Sequence, residues 1–125
     1  MIDLRRGDVV LVAFPFIAAH DVQRKRPPAL IVQADRYNRR RAVVVIVAIT
    51  TMYRHGHLPA KVPVRRESPA GHEAGLRLDS LVDCQTLATL PREEILSRLG
   101  RLPAEVMQQV DRALVDALGF GHVNK

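Results

Sequence analysis

The N-terminal part of the chain carries short runs of apolar, β-branched residues, which are typical of buried strands. Asp8–Phe14 is opened by Gly7 and closed by Pro15, and Pro28–Gln33 follows after a long basic connection. Ala42–Ile49 is apolar at every position. Both faces of that third strand must therefore be covered, and we expect it to be the central strand of a sheet.

Two further strands are predicted later in the chain. Lys61–Val64 contains Pro63, which has no N–H to donate to a ladder and therefore favours an edge position. Ser80–Thr89 alternates well enough to form a fifth strand. The region between them, around Gly71 and Gly75, is predicted to be a turn-rich crossing.

The C-terminal part changes from strand to helix periodicity. Pro91 opens a short helical turn, and Pro103 stands at the start of a longer helix, where its missing N–H costs nothing. Gly119 ends that helix. Apolar residues recur on one helical face: Val106, Val110, Ala113, Leu114, Ala117 and Leu118. The pattern predicts a mainly β, α+β protein, a small antiparallel SH3-like β-barrel capped by a C-terminal amphipathic helix.

Length and composition fit a single soluble domain spanning residues 1–125. Apolar residues make up 47% of the chain and charged residues 26%, which is a globular balance. No apolar run approaches the roughly 20 residues of a membrane helix. We therefore expect a cytoplasmic protein without a membrane partner, and the lone Cys84 is compatible with a reducing compartment.

Charge supplies the first indication of function. The formal net charge is +6, and such an excess of Lys and Arg concentrates polyanions near a surface. Either a nucleic acid or an acidic protein would be a suitable partner for such a positively charged surface. The alternative is a solvated basic surface without a ligand. The basic residues cluster in Arg24–Arg26, in Arg36 with Arg39–Arg41, and in Arg54, Arg65 and Arg66.

Six blocks of sequence occur together in one order. They are Arg6–Val10 with Phe14–Phe16, Lys25–Asp35, Val47–Thr50, Leu58–Val62, Leu78–Gln85, and the final amphipathic helix ending at Gly119. A Gly-Asp pair followed by apolar residues would carry no information alone. Together the six blocks resemble the MazF/PemK family of toxins from type II toxin–antitoxin systems, and the resemblance covers nearly the whole chain.

The resemblance implies an SH3-like homodimer that cuts single-stranded RNA, such as mRNA, with no metal or other cofactor and is neutralised by an acidic antitoxin. In that reaction the 2′-hydroxyl of the RNA attacks the neighbouring phosphorus. The protein must then position the strand, move protons and stabilise charge on the phosphate oxygens. A continuously apolar third strand and the apolar helix face also favour a homodimer, unless both are simply intramolecular core.

The family places an Arg before a Pro at the start of the second strand, and a Thr or Ser at the end of the third. Arg26 and Thr50 match these catalytic positions. An ungapped alignment, however, puts Pro27 at the Arg position, and a one-residue offset turns Arg26 away from Thr50 unless a bulge restores its direction. Asp21 matches an acidic residue proposed in some relatives to help proton transfer, although a loop Asp is often only a turn former.

Several residues are predicted to bind RNA. Arg24, Lys25 and Arg54 would hold phosphates, and Tyr53 would stack on a base. His55 belongs to the same loop, while Gln85 could reach a base edge. We expect no metal site at His55 and His57, because no Cys or acidic ligand has suitable spacing.

Two alternatives share this scaffold. One is a non-catalytic toxin resembling the CcdB group, which binds a topoisomerase, and Pro27 at the Arg position is its main support. The other is a simple RNA-binding barrel without toxicity, whose binding would weaken with salt.

Overall fold

Antiparallel strands dominate the part of the chain that the structure, a computed structural model, describes: residues 3–13, 26–40, 42–53 and 58–121. The strands are β1 (Asp8–Val12), β2 (Pro28–Ile31), β3 (Val43–Thr51), β4 (Lys61–Val64), β5 (Ser80–Pro91) and β6 (Ile95–Arg101). The helices are α1 (Asp35–Asn38), α2 (Pro69–Ala74) and α3 (Ala104–Leu118), with a 3-10 turn over Arg92–Glu94. None of the described helices is long and apolar enough to cross a bilayer.

All six strands belong to one sheet with the order β4-β5-β3-β2-β1-β6. The prediction that β3 is central is confirmed, and β4, which contains Pro63, lies at an edge as expected. No ladder joins β4 to β6 in the described residues, so the sheet is open rather than closed into a complete barrel. The mainly β class with a C-terminal helix is confirmed.

Side chains of β3 alternate between two apolar clusters. Val47 and Ile49 pack with Val106 and Val110 of α3, whereas Val44 and Ile46 face the other side. The second cluster is completed by Leu4, Val10, Val12, Ala29, Ile31, Leu90 and Ile95. The expectation that both faces of this strand are covered is therefore confirmed within the chain itself.

The final helix begins and ends where the sequence predicts. Pro103 is its extended N-terminal cap residue, and Gly119 at its C-terminus adopts the left-handed conformation with φ of 79°. The N–H of Gly119 donates to the carbonyl of Val115 at 2.8 Å, which satisfies one of the last helical carbonyls. This helix covers one face of the sheet through β4 and β5.

Neither β6 nor the two short helices is predicted from the sequence. β6 is an edge strand with only Ile95 buried, so it shows no alternation of buried and exposed positions. The helix α2 lies inside the predicted turn region and is six residues long. It is capped at both ends, because the Ser68 hydroxyl accepts from the Gly71 N–H and Gly75 ends it with φ of 72°, and Ala74 packs in the core.

Asp8 ties the N-terminal segment to both β1 and β6. Its carboxylate is fully buried and accepts from the Arg5 backbone N–H and from the Arg101 Nε, each at 2.9 Å. Arg98 Nη1 lies 3.4 Å from the same carboxylate. A buried carboxylate is tolerated only when charged and polar partners replace its hydration, as they do here.

Replacing Asp8 should therefore destabilise the fold. We expect Asp8→Ala to lower the free energy of unfolding by about 2–3 kcal/mol, because several charge-assisted hydrogen bonds are lost. Asp3→Ala is the matched control, since the Asp3–Arg5 pair is exposed and worth less than about 1 kcal/mol. Urea denaturation measures both, and equal effects would contradict the assignment of Asp8 as an anchor.

Candidate functional site

Thr50 lies next to the end of the central strand, and its hydroxyl is an anomaly. The residue is only 4% exposed, and its Oγ1 is the one buried side-chain polar atom of the described residues that lacks a hydrogen-bond partner. Buried polar groups are nearly always satisfied, so an exception calls for a functional or structural reason. Strand alternation places Thr50 on the same face as Ala48 and Ile46, directly opposite Leu81 of β5.

On the other side of β3, the position facing Thr50 is occupied by a proline. The β2–β3 ladder pairs Ala29 with Ala48, and its continuation by two residues sets Pro27 opposite Thr50. Pro27 is buried, and its carbonyl accepts from the Val12 N–H at 3.2 Å. The side chain that meets Thr50 across the ladder is therefore apolar and uncharged.

Arg26 lies on the other face of the sheet. It is exposed and lines a cavity of about 280 Å³ together with Pro28, Leu11 and Leu99. Pro28 continues the alternation of Leu30, which packs in the cluster under α3. The β2 ladders contain no bulge next to Pro28 that would reverse this direction. The structure therefore does not bring Arg26 and Thr50 together, as a one-residue offset implies.

Both apolar and basic residues line the Arg26 cavity. Its remaining lining residues are Gly75, Leu76, Arg77, Leu78 and Ser80. Ser80 is paired with Thr51 across the ladder, so the cavity is adjacent to the end of β3 but on the face away from the Thr50 hydroxyl. Arg26 and Arg77 can meet an anion here without touching Thr50.

On the Thr50 face, β5 contains a bulge. Val47 pairs with Leu87 and the next residue, Ala48, pairs with Asp83, so Cys84–Thr86 have no ladder partner on β3. The Asp83 carboxylate closes this bulge: it accepts from the Gln85 backbone N–H at 3.0 Å and from the Thr86 hydroxyl at 2.9 Å. Bulges re-aim side chains and occur often next to active sites.

Lys61 of the edge strand completes a polar cluster at the bulge. Its register partner is Asp83, and its ammonium lies 3.4 Å from the Asp83 Oδ1 and donates to the Gln85 Oε1 at 3.0 Å. The side chains of Lys61 and Asp83 are only 15% and 13% exposed. We call Lys61, Asp83, Gln85 and Thr86 the bulge cluster. Asp83 follows Leu81 by two residues and so shares the face of Thr50.

Of the bulge cluster, only Gln85 is a candidate from the sequence, and Lys61 and Asp83 are not. The available signal was a charged residue inside each of two otherwise apolar strands, Lys61–Val64 and the start of β5. Nothing in a linear pattern says that these two positions pair across a ladder, because the β4–β5 register depends on the tertiary fold.

The other predicted residues are placed only in part. Tyr53 follows β3 and is 39% exposed, which is compatible with a base-stacking surface. The remaining five candidates, Asp21, Arg24, Lys25, Arg54 and His55, lie outside the described residues. Their predicted roles therefore stay predictions.

Cys84 is not a candidate nucleophile. Burial and, to a smaller extent, the neighbouring Asp83 raise the pKa of its thiol to about 11, so the unreactive protonated form dominates at neutral pH. Within the described ranges, no cluster of three or more His, Cys, Asp or Glu side chains could hold a metal ion.

Comparison with known proteins agrees with this architecture. Residues 5–118 match the family model described as PemK-like, MazF-like toxin of type II toxin–antitoxin system. Endoribonuclease MazF6 of Mycobacterium tuberculosis is 36% identical over 90 residues, which cover 72% of this chain and 75% of the relative. Endoribonuclease MazF2 of Mycobacterium bovis matches with the same identity and coverage.

Solved structures extend the similarity to the whole fold. An endoribonuclease from a mycobacterial species superposes with a TM-score of 0.73 at 27% identity, covering 98% of each chain. A mycobacterial endoribonuclease in complex with its cognate antitoxin gives a TM-score of 0.72 at 28% identity, covering 96% of this chain and 99% of that one. With most of its length inside the family model, this chain belongs to the PemK-like, MazF-like toxins of type II toxin–antitoxin systems.

Proposed function

We propose that this chain is the toxin of a toxin–antitoxin pair and acts as a metal-independent, sequence-selective endoribonuclease on single-stranded RNA. The relatives at 36% identity are named endoribonucleases, and a structural neighbour is bound to its cognate antitoxin. One observation supports a specific catalytic residue: the hydroxyl of Thr50 is buried and has no hydrogen-bond partner. A basic chain with a net charge of +6 also suits a polyanionic substrate.

The reaction needs no bound cofactor. The 2′-oxygen of the RNA forms a bond to the adjacent phosphorus and loses its proton, and the bond to the 5′-oxygen breaks as that oxygen gains one. A threonine hydroxyl stays protonated at neutral pH, so Thr50 acts by donating a hydrogen bond where negative charge develops on the phosphate. Such a preorganised donor stabilises the transition state more than the ground state.

A cation must also meet the phosphate, and the position opposite Thr50 holds Pro27 instead of an arginine. We place the cation in the segment Arg24–Arg26, directly before that proline. Arg26 is its described member and is not held in a ladder, because it precedes β2. Asp21, in the same connection, remains the candidate for proton transfer. Tyr53, Arg54 and His55 remain candidates for holding the RNA strand.

Thr50→Val separates function from stability. We expect cleavage of a single-stranded RNA, assayed in EDTA, to fall about a hundredfold or more, because one charge-stabilising donor is removed. The free energy of unfolding should stay unchanged or rise by up to about 1 kcal/mol, since valine replaces a buried hydroxyl that has no partner.

Thr89→Val, at an exposed position of β5, is the matched control and should leave cleavage unchanged. Retained cleavage in Thr50→Val would refute the catalytic role of this hydroxyl. A fall in stability of more than about 1 kcal/mol would show that Thr50 has a hydrogen-bond partner after all.

Pro27→Arg tests whether catalysis is limited by the lack of a positive charge opposite Thr50. This substitution puts a guanidinium opposite Thr50, on the same face, and we expect the cleavage rate to rise at least about tenfold if that site lacks a cation. Pro28→Arg is the matched control, since it places the same side chain on the other face, in the Arg26 cavity. Cleavage rates are compared at equal folded fraction, measured by thermal unfolding.

If Pro27→Arg leaves the rate unchanged while Arg26→Ala abolishes cleavage, then Arg26 already supplies the charge by a path around Pro27. If Arg26→Ala has no effect, the same substitution in Arg24 and Lys25 identifies the cation.

A second function is favoured by one observation, the separation of Arg26 and Thr50 on opposite faces. A toxin without catalysis would act on a protein target, as expected for a CcdB-like scaffold. It would arrest growth with cellular RNA intact, and Arg26→Ala would remain fully toxic. A simple RNA binder would cause no growth arrest.

The assembly and location follow from the same proposal. We infer a cytoplasmic homodimer of single-domain chains spanning residues 1–125, neutralised by an acidic antitoxin. The end of α3 exposes Val115, Leu118 and Phe120, and such a group of large apolar side chains is typical of a contact surface.

A further inference from the structure

The exposed side chain of Gln85 is held in one orientation. An asparagine or glutamine amide has a donor end and an acceptor end, and rotation exchanges the two. The Lys61 ammonium can only donate, so the amide atom that it contacts at 3.0 Å must be the oxygen, Oε1. The Nε2 group, with its two N–H donors, therefore points away from Lys61.

The Lys61 side chain is itself held in place, which stabilises its hydrogen bond to Gln85. It is largely buried and paired with Asp83, which is in turn fixed by the Gln85 backbone N–H and the Thr86 hydroxyl. A side chain braced by a second layer of hydrogen bonds is preorganised for recognition. By contrast, an unbraced surface glutamine would rotate freely and present either end of its amide.

The bulge cluster also lies on the side of the sheet where we place the chemistry. Asp83 pairs with Ala48, two residues before Thr50 on the same face of β3, and Gln85 is bonded to Asp83 through its backbone N–H and to Lys61 through its side chain. Strand rise and strand spacing therefore put Gln85 roughly 10 Å from Thr50. Gln85 is thus too far to touch a phosphate at Thr50, and it is close enough to meet a base further along the same RNA strand.

We propose that Gln85 is a specificity-determining residue that donates from Nε2 to an acceptor-rich base edge, that of guanine or uracil, beside the scissile phosphate. Lys61 and Asp83 act as positioning residues that fix the amide orientation. Guanine offers O6 and N7 as acceptors, and uracil offers carbonyl oxygens. Glutamine reads adenine by using both amide ends, and the pairing of Oε1 with Lys61 disfavours that mode. This inference rests on the proposed ribonuclease function.

The decisive variant is Gln85→Glu, which keeps an oxygen for Lys61 and replaces the outward donor with an acceptor. The wild-type and variant chains are given a pool of single-stranded RNAs with randomised sequence, and the cleavage sites are read by sequencing. We expect the ratio of guanine or uracil to cytosine or adenine at one position to fall about tenfold.

Gln108→Glu at an exposed position of α3 is the matched control, because it adds the same charge to a surface glutamine away from the bulge. Its cleavage pattern should match that of the wild-type chain. An unchanged pattern in Gln85→Glu would overturn the inference while leaving the proposed function intact. If the wild-type chain cleaves no RNA, the proposed function fails and the inference falls with it.

Lys61→Met tests the positioning role separately. Without the ammonium, Gln85 can rotate, so we expect adenine to be tolerated at that position while cleavage at other positions is unaffected. A merely structural role of Lys61 would lower the total rate without altering base preference, and that result would overturn its assignment. Gln85→Glu leaves the Lys61–Asp83 pair in place, so it decides the main claim even if Lys61→Met fails to fold.

Discussion

Strict alternation of side chains along the central strand β3 is the constraint on which this structure depends. Its residues from Val44 to Thr50 supply two apolar clusters in turn, one under α3 and one on the opposite face. Because every neighbouring strand must match this alternation, a shift of one residue moves a side chain to the other face. That is why Arg26 and Pro27 are not interchangeable, although they are adjacent in sequence. The same rule places the Thr50 hydroxyl against Leu81 and Pro27 rather than beside a guanidinium.

The β5 bulge interrupts the alternation of side chains, and the polar residues of the bulge cluster lie at this point. Three residues without partners on β3 would leave backbone groups without hydrogen bonds. The Asp83 carboxylate satisfies one of these groups by accepting from the Gln85 N–H. A largely buried pair such as Lys61–Asp83 adds little net stability compared with apolar side chains, because desolvation offsets its attraction. What it provides is a fixed geometry, since a charged pair with directional contacts tolerates few alternative arrangements. We therefore interpret the bulge cluster as a device for orientation rather than for stability.

How far the sequence predicts this molecule depends on whether a feature is local. Five strands and α3 are foreseen because each carries its own periodicity or its own capping residues, such as Pro103 and Gly119. β6 is not predicted, because an edge strand with one buried residue shows no regular alternation of apolar and polar residues. Thr50 is a candidate through resemblance to a family and Gln85 through its position in the fifth strand, and the roles of both remain predictions. The Lys61–Asp83 pairing and the open sheet depend on register between distant segments, which no linear pattern encodes.

The start of β2 links fold and function. Pro27 and Pro28 have no N–H, so this end of the strand can only accept hydrogen bonds, and Pro27 does so from Val12. Arg26 precedes β2 and lies outside both ladders, whose first paired residues on β2 are Pro28 with Leu11 and Ala29 with Ala48. If Arg26 supplies the cation of the proposed reaction, its exposed side chain is fixed when the RNA binds, and fixing it then costs conformational entropy. For a guanidinium on a ladder residue opposite Thr50, the conformational entropy would instead be lost during folding, before the RNA binds. On the proposed mechanism, the proline at position 27 should therefore weaken catalysis without abolishing it, because Thr50 is held within β3 while Arg26 is not held by a ladder.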